Sequence, residues 1–404
     1  MAASPVAIPY GGYWSSPFVK WQGALADRHA IRLAAFTARE ALAARGIPLD
    51  AIDHGVLGTS VPQQGAFYGM PWLAGMMGAE RVAGPTIAQA CATGVRIVAS
   101  AADEVSSGRA GCVLAVAADR VSNGPHLIYP DARAPGGAGR HEHWVLDNFE
   151  RDPFAGCAMV DTAENVARRI GATLEEQHEV VLARAAQYEA ALAEDRAFQR
   201  RYMLLPFPVP DRRFAGVAET IEGDVGIYPT SPEKLARLAP VREGGTVTLA
   251  AQTHPADGNA GMIVTSVERA RDLSARPEIS ITPVAFGQSR EEKGYMPAAP
   301  IEATRRALAA AGIGIEAIDA VKSHNPFAIN DLAFARAFGI DWRRMNNFGC
   351  SLIYGHPQAP TALRGVIELI EELVARGGGM GLFQGCAAGD SAMALVLRVE
   401  DGRA

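Results

Sequence analysis

Three short segments of this 404-residue chain each place a reactive side chain at a turn of small residues between apolar runs. The first, Gln89-Ala90-Cys91-Ala92-Thr93-Gly94, leads into an apolar-faced stretch that reads as a helix over 91–107. A cysteine at a helix start feels the positive end of the dipole, which favours the thiolate and makes the sulfur nucleophilic. A small buried apolar residue is the other reading of such a cysteine. The second segment, Asn346 to Pro357, ends in Gly355-His356-Pro357. A histidine held between Gly and Pro on a tight turn can act as base toward a thiol, or it can simply close the turn. The third, Gly385-Cys386-Ala387-Ala388-Gly389-Asp390, sets another cysteine at a strand-to-turn junction. Small residues there admit a substrate to backbone N–H groups, as an oxyanion hole requires, or allow tight packing.

The elements that must hold these turns alternate in type. Ile31, Leu33, Ala34, Ala38 and Leu42 recur at helical spacing over 28–46, with Gly46 placed as a C-cap. Ile52 to Val56 reads as a short strand, and Cys112 to Ala118 (CVLAVAA) as a strand buried on both faces. From about 120 to 245 the character changes to turn-rich segments, two charged helices (161–170 and 173–194) and the Pro-rich passage LLPFPVPDRR. Thr246 to Ala250 and Gly261 to Ser266 read as strands after it. The second half repeats the order: strands at Ile279–Phe286 and Ile318–Lys322, helices at 300–311 and 358–376, and closing strands at Gly381–Gln384 and Met393–Leu397. Alternation of this kind predicts an α/β core. We divide the chain into a first half (1–120 with 246–270), an inserted loop domain (121–245) and a second half (271–404).

With 49% hydrophobic and 20% charged residues, the chain can build two packed cores. A net charge of −6 with no basic block speaks against a nucleic-acid partner. Five widely spaced cysteines without a CxxC suggest neither a disulfide framework nor a zinc site, and Cys112 and Cys157 read as small buried residues. The N-terminal MAASPVAIPYGG has no leader character and no run reaches the length of a membrane span, so a cytoplasmic, membrane-free protein is expected.

Taken together, the three segments resemble the thiolase family. QACATG is similar to its nucleophile motif, Gly355-His356-Pro357 to its histidine motif, and Cys386 falls where its second cysteine lies. Ala118-Asp119-Arg120-Val121-Ser122 resembles its GxExMS, Met159 to Ala167 its MGxTAENVA, and Gly245-Thr246-Val247-Thr248 with Asp257-Gly258 its GTVT…DG. The likeness runs from about Pro17 to Val396. It implies a five-layer αβαβα fold of two similar halves, with a large loop domain in the first half that covers coenzyme A.

It also implies a chemistry: cleavage of a 3-oxoacyl-CoA by CoA, or the reverse Claisen condensation, through an acyl group carried on Cys91. His356 would activate Cys91, and Cys386 would give or take the α-proton. One oxyanion hole would use the N–H groups of Cys91 and Ala388. The other would use His356 with His324, which stands in His324-Asn325-Pro326-Phe327 where most relatives have the Asn of NEAF. That variation resembles the sterol-carrier-protein-like and archaeal branches. Met159 and Phe327 would line the thioester end of the CoA tunnel, and Thr253, at the place of a serine in relatives, would contact CoA. Arg212, Arg213 and Lys234 would meet the nucleotide phosphates, or are solvated surface charges. His254 has no counterpart in the family pattern.

No covalently bound cofactor and no metal is expected, coenzyme A being a co-substrate. The departures point to a specialised branched or aromatic 3-oxoacyl-CoA, benzoylsuccinyl-CoA being one example. Implied partners are a second copy of the chain, as homodimer or dimer of dimers, and a small zinc-ribbon/OB-fold companion subunit. A condensing-only synthase of the same fold and a non-catalytic CoA-binding subunit are the alternatives.

Overall fold

The computed structural model describes residues 5–402; the first four residues of the N-terminal stretch and residues 403–404 lie outside it. Two sheets carry the core. The first runs Val6–Ala7, Ala256–Ser266, Cys112–Arg120, His54–Gly58, Thr86–Ile87, with Tyr13–Ser15 and Val19–Lys20 also paired to Ala256–Ser266. The second runs Ile279–Arg290, Ser391–Asp401, Gly378–Ala387, Ala320–His324. His54–Gly58 lies parallel to both of its neighbours, and Ala320–His324 parallel to Gly378–Ala387. Eight of the nine residues of Cys112–Arg120 are buried, as its unbroken apolar run requires of a strand covered on both faces.

Helices Thr93–Ser106 and Ala359–Ala375 pack against each other between the two sheets. Ala30–Ala44 and Gly69–Met77 cover the outside of the first sheet, and Ala299–Ala311 the outside of the second. The result is five layers, helix–sheet–helix–sheet–helix. Gly94 permits the central contact: a Cβ there would lie 2.3 Å from the Leu363 nitrogen. The middle helix Ala359–Ala375 is buried almost throughout, including Arg364, Glu368, Glu371 and Glu372. Those charges persist inside because each has a partner, such as Arg364 on Asp224 at 2.6 Å and Lys322 on Glu368 at 3.1 Å.

Residues 121–245 add no strand to either main sheet. Their strands pair only with one another, His126–Tyr129 with Arg140–His143 and Phe207–Pro210 with Val217–Ile221. The charged helices there span Met159–Ile170 and Leu174–Arg200, the second broken by non-helical backbone at Ala193–Arg196.

Two expectations are corrected. Thr246 to Ala250 is not a strand, because the Thr246 and Val247 N–H groups are taken by the Glu164 carboxylate at 2.9 and 2.8 Å. Cys157 is half-buried rather than part of the core, whereas Cys112 is fully buried. No helix among the described residues is long and apolar enough to cross a membrane.

Candidate active site

Cys91 follows a strained turn. Ala90 adopts a positive φ of 44°. Thr93 clamps the turn from the first residue of the helix Thr93–Ser106: its hydroxyl accepts from the Gln89 N–H at 2.7 Å and donates to the Ala90 carbonyl at 2.6 Å. The sulfur is thereby aimed out of the helix start, across the interface between the halves.

On the far side, the turn before Ala359–Ala375 presents His356. Gly355 has φ 93°, and a Cβ on it would sit 2.8 Å from His254 Nε2, so this turn accepts only glycine without rearrangement. The His356 N–H donates to the His254 carbonyl at 2.9 Å. Its Nδ1 lies 2.6 Å from the Thr361 hydroxyl and its Nε2 lies 3.1 Å from Cys91 Sγ. With Nδ1–H donating to Thr361, Nε2 is left as the acceptor for the Cys91 thiol proton. The two halves are locked together close by: buried Asp119 accepts from Val61 and Ala359 N–H groups at 2.9 and 3.0 Å and from the Thr59 hydroxyl at 2.7 Å.

His324 ends the strand Ala320–His324, with its ring centroid 4.2 Å from that of His356. Its Nδ1 meets the Ser351 hydroxyl at 2.9 Å, and its Nε2 is buried without a partner among the described residues. When Ser351 donates to Nδ1, the ring proton sits on Nε2 and points into the site. Cys386 is the next-to-last residue of the strand Gly378–Ala387, with Sγ 3.3 Å from Asn330 Nδ2. Burial raises the Cys386 thiol, and the neighbouring Cys91 raises it further.

Burial likewise pushes the Cys91 thiol up, to about 12, against hydrogen bonds from the Ala388 and Cys91 backbone that pull it down. Burial holds His324 down at about 3 and His356 well below the ordinary histidine range, His324 adding to the latter. The resting group is therefore uncharged: two thiols and two neutral imidazoles, with two backbone donors on the sulfur. Such a set can pass the Cys91 proton to His356 and stabilise negative charge where the N–H groups converge.

Cys91 and His356 open onto a cavity of about 740 Å³ with a mostly apolar wall. Met159, Thr253, Phe327 and Ala388 all line it. The Thr253 hydroxyl is bound to the Ser351 carbonyl, and its N–H to the Pro326 carbonyl at 2.7 Å. Arg212, Arg213 and Lys234 do not line the cavity. Arg212 pairs with Asp27, the Arg213 carbonyl accepts from Arg32, and Lys234 donates to the Pro229 carbonyl. The basic residue on the wall is Arg242, which also binds Asp161 at 2.7 Å.

Sequence reasoning missed Gln358. Its Oε1 lies 3.3 Å from Cys91 Sγ, its Nε2 is buried without a partner among the described residues, and its backbone holds φ 62°, ψ −111°. Nothing in a Pro-Gln-Ala string signals that conformation. His254 also lines the cavity, with its Nε2 unpartnered among the described residues.

Residues 14–268 match the thiolase N-terminal domain and residues 279–399 the thiolase C-terminal domain. The chain is 30% identical to the acetyl-CoA acetyltransferase of Escherichia coli (strain K12), over 93% of this chain and 95% of that protein. It is 29% identical to the 3-ketoacyl-CoA thiolase of Pectobacterium atrosepticum, over 78% of each. Human mitochondrial 3-ketoacyl-CoA thiolase superposes with a TM-score of 0.88 at 25% identity, over 98% of this chain and 99% of that one. The acetyl-CoA acetyltransferase of Bacillus anthracis follows at 0.87 and 25%, over the same shares. With both domains of one family spanning its length and a cysteine–imidazole pair at their junction, the chain belongs to the thiolase family of acyltransferases.

Proposed function

We propose that the protein cleaves a 3-oxoacyl-CoA with CoA, or runs the reverse condensation, through an acyl-Cys91 intermediate. The observation that carries this reading is the 3.1 Å contact between Cys91 Sγ and His356 Nε2, with the Ala388 and Cys91 backbone donors on the same sulfur. His356 takes the thiol proton as sulfur attacks the 3-oxo carbon. The Cys91 and Ala388 N–H groups receive the oxygen of the tetrahedral adduct. The C2–C3 bond then breaks, leaving the acyl group on sulfur and an acyl-CoA enolate. Cys386 protonates the enolate carbon, and His324 and His356 hydrogen-bond its oxygen. A thiol so disfavoured as an anion gives up its proton only to a strong base such as a carbanion, which suits that role.

The cavity walls are apolar at Met159, Phe327 and Met296. This supports a branched or aromatic 3-oxoacyl chain, benzoylsuccinyl-CoA being one member to test. Residues 121–245 supply Met159, Tyr228 and Arg242 to the cavity wall, which supports a CoA-covering role for that segment. A homodimer and a companion subunit are carried by the family likeness alone. A condensing-only synthase and a non-catalytic subunit are the competing readings.

Intact-protein mass spectrometry with a panel of 3-oxoacyl-CoAs, without free CoA, tests the proposal. A mass gain on Cys91, absent in Cys91→Ala, is expected and identifies the accepted acyl group. No adduct on folded protein that still binds CoA would overturn it.

A further inference from the structure

Cysteine spacing gives no hint of a metal site, yet the fold brings Cys91, His324 and His356 together from three separate stretches. One ligand atom from each lies within 4.8 Å of the other two. Both rings have Nδ1 engaged by a hydroxyl, as metal-binding imidazoles do, which frees Nε2; that of His356 meets the Cys91 sulfur at 3.1 Å. Thr361 holds His356 at 2.6 Å and Ser351 holds His324 at 2.9 Å. The His324 Nε2 is 1% exposed as part of its residue and has no partner among the described residues. A polar atom orphaned in this way costs free energy until something binds it.

From these observations we propose that Cys91, His324 and His356 form a three-ligand site for a zinc-type divalent cation, whose occupation reversibly blocks the nucleophile. The donor set, one thiolate and two imidazoles, is that of a borderline-soft ion, and a fourth position facing the cavity is left for water. Around such an ion the ligand atoms would stand about 3.4–3.6 Å apart, given bonds of roughly 2.0–2.3 Å. The observed 3.1 Å between Cys91 Sγ and His356 Nε2 is within a small side-chain adjustment of that, and the separations to His324, which lie within 4.8 Å, close by about 1.4 Å at most.

The balance is simple. The Cys91 thiol releases its proton to solvent, and sulfur and the two neutral imidazoles each donate a lone pair to the cation. Ser351 permits the change at His324, because its hydroxyl can turn from His324 Nδ1 to Asn325 Oδ1 at 3.3 Å, leaving Nδ1 as the protonated nitrogen. An acylated Cys91 has no thiolate to offer, so acylation and cation binding exclude each other. The inference stands on this cluster and needs no particular acyl substrate.

The test uses Co²⁺ as the spectroscopic probe and Zn²⁺ as its competitor, on the full chain without any acyl-CoA. One Co²⁺ per chain should bind with a thiolate-to-metal charge-transfer band, which Zn²⁺ displaces. Cys91→Ala should lose the band. His324→Asn should weaken binding at least 10-fold, with near-ultraviolet circular dichroism showing that each variant is folded. Zn²⁺ should also protect Cys91 from iodoacetamide, with chelator restoring the reaction. A folded wild-type protein without the band would overturn the proposal, as would His324→Asn binding as tightly as wild type. Because no substrate is present, failure here leaves the acyl-transfer reading standing, and failure of that reading leaves this one.

Discussion

His324 and His356 face each other with ring centroids 4.2 Å apart and planes tilted by 33°. Two imidazolium ions could not coexist in that arrangement, and burial keeps both rings neutral. Neutrality is what the chemistry needs: one ring must accept a proton and the other must offer a hydrogen bond without carrying charge.

The same burial makes the fold acid-sensitive. A histidine whose folded pKa lies below its unfolded value contributes stability at high pH, lost as pH falls below about 6.5. For His324, held at about 3, the loss continues down to that pH at about 1.4 kcal/mol per pH unit. Asp257, raised by burial to about 6, acts in the opposite sense between that value and its unfolded one. His324→Asn therefore isolates one term: between pH 6 and 4 its unfolding free energy should fall less steeply than wild type, by one proton. Urea titrations at several pH values measure it, and equal slopes would contradict the buried neutral imidazole.

Cys386 and Cys91 should separate kinetically. Cys386 Sγ is bound to Asn330 and touches neither His356 nor the backbone donors on Cys91 among the contacts described. Cys386→Ala should leave acylation of Cys91 by a simple acyl-CoA within a few-fold of wild type. Condensation should fall by about 10²–10⁴, the usual yield of a positioned acid or base. Loss of acylation as well would refute the division of labour.

Gln358 offers a sharper probe of the sulfur. Its amide can turn over about its last torsion, exchanging an oxygen that accepts from the thiol for an NH₂ that donates to the thiolate. The NH₂ has no other partner to lose among the described residues. Gln358→Leu keeps the bulk and removes both functions. Iodoacetamide alkylation of Cys91 at constant pH should slow by about 10-fold or more, as expected for a hydrogen bond to an ion. An unchanged rate would mean the amide does not serve the sulfur.

How much of this was legible in the sequence follows from local physics. Cys112–Arg120 and Ala359–Ala375 were readable because their burial is unbroken or periodic. Cys91, His356 and Cys386 were readable as motifs at Gly-rich turns. Gly69–Met77 went unread because its mixture of Gly, Pro and Met lacks a clear helical stripe. Thr246–Ala250 is misleading because β-branched residues look like a strand, while Glu164, 82 residues before Thr246, holds the backbone instead. Gln358 and the three-ligand cluster depend on a positive φ and on contacts between distant segments, which no window of sequence contains.

The buried charges of Ala359–Ala375 give the last prediction. Arg364 grips Asp224 with two bonds of 2.6 and 2.8 Å, binds Glu368 at 2.9 Å, and lies over Tyr354 and Phe18 at 3.7 and 4.6 Å. Asp224 comes from the 121–245 excursion and also binds the Phe18 N–H and the Tyr188 hydroxyl, so this one guanidinium ties excursion, first half and second half together. Arg364→Met fills the space but leaves Asp224 without a cation among the described residues, while Glu368 keeps Lys322 at 3.1 Å. Breaking a buried pair from one side costs about 3–5 kcal/mol. Arg364→Lys should recover little, because an ammonium cannot make the two-pronged contact or stack flat on Tyr354. Denaturant unfolding gives the global loss, and limited proteolysis within 200–230 reports whether the excursion loosens first. A variant as stable as wild type, with unchanged cleavage, would show that Tyr188, Gln199 and the Phe18 N–H hold Asp224 without the guanidinium.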